Sequence, residues 1–255
     1  MATKIKKILV SQPKPQNDKS PYLELAERNN LKIEFRPFIK VDGVSAKEFR
    51  KCRIDLLEHT AVIFTSRTAI DHYFRIAEEL RAVIPDSMKY FCISESIALY
   101  LQKYIVYRKR KIFYGQNVFK DLIEQEVSKH SDEKFLVPLS DQHKPEIPRI
   151  LEKNKIKYTK AILYRTVSSD LSDLRDVNYD VLVFYSPSGI KSLFHNFPDF
   201  VQNNTKIACF GPHTARAVKK AGLRLDIEAP TKEAPSMTMA LENYIKEFNR
   251  NGCAK

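Results

Sequence analysis

The chain carries a near-repeat of itself, and a repeat narrows the folds open to it more than any other feature. Phe64-Thr65-Ser66-Arg67-Thr68-Ala69-Ile70-Asp71-His72-Tyr73-Phe74 lies over Phe184-Tyr185-Ser186-Pro187-Ser188-Gly189-Ile190-Lys191-Ser192-Leu193-Phe194. Phe, Ser, Ile and the last Phe coincide, and Thr68/Ser188 and Ala69/Gly189 are close in size. An apolar run precedes each copy, Thr60-Ala61-Val62-Ile63 in one and Val181-Leu182-Val183 in the other. Each copy therefore reads as a buried strand that ends in a hydroxyl-rich turn and enters a helix. Cys92-Ile93-Ser94-Glu95-Ser96-Ile97-Ala98 and Cys209-Phe210-Gly211-Pro212-His213-Thr214-Ala215 extend the match. The strand–helix–strand pattern at roughly 7–38 has a counterpart at roughly 134–166. Two such edges in one chain imply two similar lobes facing a shared ligand.

Strand and helix patterns alternate along the whole chain, the signature of α/β layering around parallel sheets. Strands are expected at 7–10, 32–35, 60–65, 89–93, 105–107, 112–114, 134–138, 160–166, 180–185, 205–210 and 224–228. Helices are expected at 23–30, 45–58, 67–82, 95–103, 117–129, 145–153, 187–195, 212–220 and 236–248. Lys40-Val41-Asp42-Gly43 reads as a polar link. In the last helix Met237, Leu241, Tyr244, Ile245 and Phe248 share one face, a core-packing pattern.

Charge points to the partner. Lys and Arg number 43 against 31 Asp and Glu, a net charge of +12 over 255 residues, which asks for an anion. The four cysteines, Cys52, Cys92, Cys209 and Cys253, are dispersed and never form C-x-x-C, which fits a reducing cytoplasm and neither a disulfide framework nor a zinc site. Met1-Ala2-Thr3-Lys4 leads straight into a strand-like run without a signal-peptide pattern, no apolar stretch is long enough to cross a bilayer, and the tail 250–255 reads as frayed. The six glycines cannot build a G-x-G-x-x-G loop, Gly-x-Ser-x-Gly is absent, and the six histidines lack ligand spacing. The expectation is no metal and no cofactor. Tyr107-Arg108-Lys109-Arg110-Lys111 could mark a nucleic-acid surface, but an exposed edge strand or loop is the simpler reading, and no nucleic acid is expected. Nothing reads as a large exposed apolar helix face, so a monomer is expected.

The chemistry belongs at the strand-to-helix turns, because ligands of open parallel sheets bind at the carboxyl ends of the strands. Ser186 reads as an N-cap with Pro187 as the first helical residue, and Gly211-Pro212 offers a similar start. Thr65-Ser66, Ser94-Glu95-Ser96, Asn117 and Ser236 are capping candidates in the matching turns. Any one of them is a cap first. Several on one edge of two basic lobes make an anion site, since helix N-termini offer N–H groups and a partial positive charge. His213 is the histidine that falls in such a turn.

Taken together, these residues resemble the uroporphyrinogen-III synthase family. Phe184-Tyr185-Ser186-Pro187-Ser188-Gly189, then Ala208-Cys209-Phe210-Gly211-Pro212-His213-Thr214-Ala215-Arg216-Ala217 with Gly222, then Ala229-Pro230-Thr231 and a closing helix carry the likeness. Ala161-Ile162-Leu163-Tyr164-Arg165-Thr166 is similar to the family's V-Y-x-T strand, and Phe64-Thr65-Ser66 to its F-T-S turn. The resemblance implies two flavodoxin-like, three-layer, parallel-sheet lobes joined by a two-stranded linker around a central cleft. Residues 1–38 with 169–255 would form one lobe and 42–166 the other, with crossings near 38–42 and 166–169. It implies closure of the linear tetrapyrrole hydroxymethylbilane to uroporphyrinogen III, with loss of water and inversion of the D ring. The partner would be that polycarboxylate. Tyr164 would be the catalytic acid that helps hydroxide depart. Thr65, Ser66, Ser96, Ser186, Ser188, Gly211, His213 and Thr214 would bind carboxylates through hydroxyls or neighbouring N–H groups. The chain departs from the family pattern at Ser11-Gln12-Pro13, where Arg often precedes Pro, and at Ile97, where a Thr usually stands. Those departures motivate the alternative, a non-catalytic bilobal binder of another polyanion.

Overall fold

The computed structural model describes residues 4–16, 20–175 and 177–252. Met1-Ala2-Thr3, Cys253 and the end of the tail lie outside the described residues. The chain divides into two compact units, Met1–Lys40 with Val167–Lys255, and Val41–Thr166.

In the first unit, β1 (Lys7–Val10), α1 (Pro21–Asn29) and β2 (Lys32–Phe35) come from the N-terminal segment. From the C-terminal segment come β9 (Val181–Phe184), α7 (Pro187–Asn196), β10 (Lys206–Phe210), α8 (Pro212–Lys220), β11 (Ile227–Ala229) and α9 (Met237–Gly252). The sheet order is β11-β10-β9-β1-β2, with parallel pairings. Numbered along the unit this is 2-1-3-4-5, the flavodoxin order, whose switch point lies between β1 and β9. The central strands β1, β9 and β10 are apolar on both faces because helices cover both. Ile8, Val10, Val181 and Val183 pack with Leu25, Met237, Leu241 and Ile245 of α1 and α9. Leu9, Leu182, Phe184 and Ile207 pack with Ile190, Leu193 and Val218 of α7 and α8.

The second unit begins within β3 (Ile39–Gly43) and contains α2 (Ala46–Lys51), β4 (Ala61–Phe64), α3 (Arg67–Glu79), β5 (Lys89–Cys92) and α4 (Glu95–Tyr100). It continues with β6 (Ile112–Tyr114), α5 (Phe119–Gln125), β7 (Phe135–Ser140) and α6 (Glu146–Lys153), and ends within β8 (Tyr158–Ser168). The order β3-β8-β7-β4-β5-β6 is the order of the first unit if β7 and β8 stand where β1 and β2 stand, with β3 added at the edge. The repeat and the units are therefore out of step along the chain. Val62, Phe64, Tyr90, Cys92, Ala161 and Leu163 face Ile70, Tyr73 and Ile76 of α3. Ala61, Ile63, Phe91, Phe135 and Val137 face Leu122, Ile123 and Leu151 of α5 and α6.

Several elements differ from the sequence reading. The polar link at 40–43 is strand β3, because its backbone finds a partner in β8. The helix expected over 45–58 stops at Lys51; Arg53 takes a left-handed φ of 53°, and Asp55 caps a separate 3₁₀ turn, Leu56–Glu58. The strand expected at 105–107 is a loop in which Val106 is exposed. Asn117 does not cap α5. It sits at φ 66°, and the helix begins after Val118 without a side-chain cap. Helix 95–103 tightens to 3₁₀ geometry after Tyr100, and the strand expected from 224 begins at Ile227. Among the described residues no helix is long and apolar enough to cross a membrane.

Candidate functional site

β8 delivers Tyr164 to the carboxyl edge of its sheet, and an irregularity aims it. Leu139 of β7 pairs with Ile162, but Ser140 pairs with Tyr164, so β8 carries one extra residue there. Side chains alternate along a regular strand, and a bulge breaks the alternation. Ala161 and Leu163 point to the α3 face and Ile162 to the opposite one. The bulge sends Tyr164 back to the α3 side, next to Leu163. Its hydroxyl lies 3.2 Å from Ser66 Oγ across the β7/β4 switch point.

Ser66 holds α3 and Tyr164 together. It is the N-cap of α3, and its Oγ accepts the Ala69 N–H at 3.1 Å. The serine hydrogen stays available for the phenol oxygen. Burial pushes the Tyr164 hydroxyl above the ordinary phenol range, and the Ser66 hydrogen bond opposes that rise. A second contact comes from nearly two turns further along α3. The His72 ring stacks on the Tyr164 ring, with centroids 5.1 Å apart and planes 16° from parallel. Arg75 Nε donates to His72 Nδ1 at 3.1 Å, and Arg75 Nη2 donates to the Val44 carbonyl at 2.7 Å. Gly43 makes room: a Cβ there would stand 2.8 Å from Arg75 Nη2 and 3.0 Å from His72 Cε1. Burial, then the Arg75 guanidinium, holds His72 below its ordinary pKa, so the ring is neutral at pH 7.

The remaining positions fall at other strand-to-helix turns of the two units. Thr65 precedes the cap and is half-buried. Ser96 is exposed in α4, 3.1 Å from Ser94 Oγ. Ser94, at the N-cap position of α4, makes no side-chain cap hydrogen bond. In the first unit Ser186 caps α7, accepting the Gly189 N–H at 3.2 Å, with Pro187 and Ser188 following. Gly211 starts α8 at φ 87°, a left-handed conformation that favours glycine. His213 is exposed, with Nδ1 2.9 Å from an Arg216 guanidinium nitrogen. Thr214 is 2% exposed, and its N–H already bonds to Gly211 O at 3.1 Å. Ser186 and the Gly211–Thr214 turn thus share adjacent strand ends, β9 and β10. The basic run at 107–111 is a loop closed by a 3₁₀ turn, and Arg108 pairs with Asp86.

Comparison with known proteins gives these turns a context. Residues 20–239 match the model of the family described as uroporphyrinogen-III synthase HemD. The chain belongs to the uroporphyrinogen-III synthase family. Members of the family cyclise hydroxymethylbilane in tetrapyrrole biosynthesis. The uroporphyrinogen-III synthase of Chlorobaculum parvum is 22% identical, over 95% of this chain and 100% of that one. The fold is similar to the crystal structure of uroporphyrinogen-III synthetase from Helicobacter pylori, with TM-score 0.56 and 16% identity over 95% of this chain and 100% of that one. A mutant uroporphyrinogen III synthase from the extreme thermophile Thermus thermophilus is similar at TM-score 0.51 and 14% identity, over 95% and 99%.

For this member of the uroporphyrinogen-III synthase family, the unit-2 turns bring Thr65, Ser66 and Tyr164 together. The sequence reading missed His72 and Arg75. Their i, i+3 spacing on α3 was the available signal, but nothing local tied either to Tyr164. Two sizeable cavities lie away from these turns. One of about 620 Å³ is lined by Phe74, Tyr104 and Arg108, and one of about 800 Å³ by Phe38, Phe197 and Phe200. None of the expected site residues lines either.

Proposed function

We propose that this chain closes hydroxymethylbilane to uroporphyrinogen III, with loss of water and inversion of the D ring, and that Tyr164 is the acid for the departing hydroxyl. The observation that carries the acid role is the turn of Tyr164, by the β8 bulge, onto Ser66 at the start of α3. In the first step the C–O bond breaks and its electron pair stays on oxygen. The phenol proton completes the water that leaves. The pyrrole nitrogen stabilises the cation left on carbon. The phenolate formed at Tyr164 then accepts from Ser66 Oγ–H, beside the partial positive charge of the α3 N-terminus. That stabilisation grows as the proton leaves, so it favours the transition state over the ground state. For the inverted closure, the cationic methylene carbon bonds to the α-carbon of ring D that already carries the bridge, and the old bridge bond then breaks to leave a second pyrrole-stabilised cation. That carbon bonds to the unsubstituted α-carbon of ring D, which releases one proton and restores the proton balance.

The remaining positions are proposed as carboxylate contacts: Thr65, Ser66 and Ser96 in one unit, and Ser186, Ser188, Gly211, His213 and Thr214 in the other. Freshly generated hydroxymethylbilane is the test. The expected product is the type III isomer, and type I alone would reject the activity. Tyr164→Phe is expected to lower kcat by about 10²-fold or more with the melting temperature retained. Full turnover in that variant would reject the acid role.

A further inference from the structure

We infer that His72 is a positioning residue for Tyr164, its ring face holding the phenol against Ser66; the inference rests on the reading of Tyr164 as the acid. Four observations converge on it. The ring stacks on Tyr164 nearly parallel, at 5.1 Å between centroids. Its own orientation is fixed, because Arg75 Nε donates to Nδ1 and thereby leaves the proton on Nε2. Arg75 is fixed in turn by the Val44 carbonyl, and it pairs with Glu79, whose carboxylate accepts the Ala46 N–H at 3.1 Å. The missing side chain at Gly43 is what lets the guanidinium and the imidazole come so close to that backbone.

α3 therefore grips Tyr164 at two points, the hydroxyl through Ser66 and the ring face through His72. A strand tyrosine at a sheet edge otherwise keeps freedom about both side-chain torsions. Proton delivery requires the hydroxyl within hydrogen-bond reach of the leaving oxygen, so a small swing of the ring costs rate rather than affinity. His72 touches the acid and has no assigned contact with substrate.

The experiment is steady-state kinetics on freshly generated hydroxymethylbilane with H72A, H72F and H72L, each alone and combined with Y164F. H72A is expected to lower kcat by about five- to tenfold, with KM within about twofold. H72F keeps a flat ring and is expected within about twofold of the unsubstituted protein. H72L fills the space without a ring face and is expected to match H72A. On the Y164F background, H72A is expected to change kcat by less than about twofold, because there is no acid left to position. Should H72A fail to fold, the Phe–Leu comparison decides. Equal rates for H72F and H72L, a change in KM alone, or the same loss with and without Tyr164 would each overturn the inference. If Y164F is slow and H72A is not, His72 loses its role and the acid reading stands. If Y164F turns over normally, the acid reading fails and His72 falls with it.

Discussion

As the proposed acid, Tyr164 must hold its proton in the resting enzyme and release it as the C–O bond breaks. Burial favours the first requirement by disfavouring the phenolate, and Ser66 favours the second by stabilising it. The sign of the pH dependence follows. An acid works while protonated, and this one has its pKa raised, so kcat should show no fall assignable to Tyr164 until above about pH 10. Measuring kcat against pH checks this. An alkaline fall centred below about pH 9 that disappears in Y164F would contradict it. Ser66→Ala removes the one contribution that lowers the Tyr164 pKa. Its kcat should be depressed across the whole pH range, and any alkaline limb should move further up. The same change removes the cap of α3, about 1 kcal/mol of stability, or about 2–4 °C in melting temperature. Ser66→Thr keeps both the cap and the donor and should restore both readouts. A kcat profile identical in Ser66→Ala and the unsubstituted protein would show that this hydroxyl does not act on Tyr164.

At the scale of elements, the turns were legible because capping chemistry is local. Ser66, Ser186 and Ser236 each accept an N–H three residues on, as their positions before helical patterns imply; Ser45, expected inside a helix, does the same as the cap of α2. β3 was not legible. Lys40-Val41-Asp42-Gly43 has no alternation, and it is a strand because β8 lies beside it. The bulge in β8, opposite the Leu139–Ser140 step of β7, left no trace in composition either, since it belongs to the pairing of two strands. The β10–α8 turn gives an element-level prediction. Gly211 has φ 87° and open space where a Cβ would stand, so Gly211→Ala costs backbone strain alone. The expected loss is about 1–2 kcal/mol, read as a lower melting temperature with the fold retained. An unchanged melting temperature would mean the turn does not need its left-handed residue.

At the scale of the whole molecule, the unit boundaries predict what can fold alone. Val41–Thr166 is contiguous and carries both of its packed faces. Expressed by itself it should unfold cooperatively on heating, with native-like circular dichroism. Residues 1–40 hold β1 and β2, while β9, β10 and β11 lie beyond 167, so neither piece of the other unit can complete that sheet. A structureless 41–166 fragment would show that its sheet depends on the rest of the chain. Charge gives a second prediction. With a net charge of +12 and a polyacid substrate, KM should rise with ionic strength while kcat stays nearly constant. A KM indifferent to salt would remove long-range attraction from the account of binding.

Sequence alone determined the α/β layering, the doubled strand–turn–helix edges and the caps at Ser66, Ser186 and Ser236. These rest on periodicity or on contacts within a few residues, whereas Tyr164 was singled out by the family resemblance. Only the tertiary structure decided where Tyr164 points and what touches it. Ser66 lies 98 residues away along the chain, and the bulge that turns the phenol toward it exists only once β7 and β8 have paired. Local patterns set which residues can bury a face, but side-chain aim at a sheet edge is fixed by registers and neighbours that folding brings in from afar.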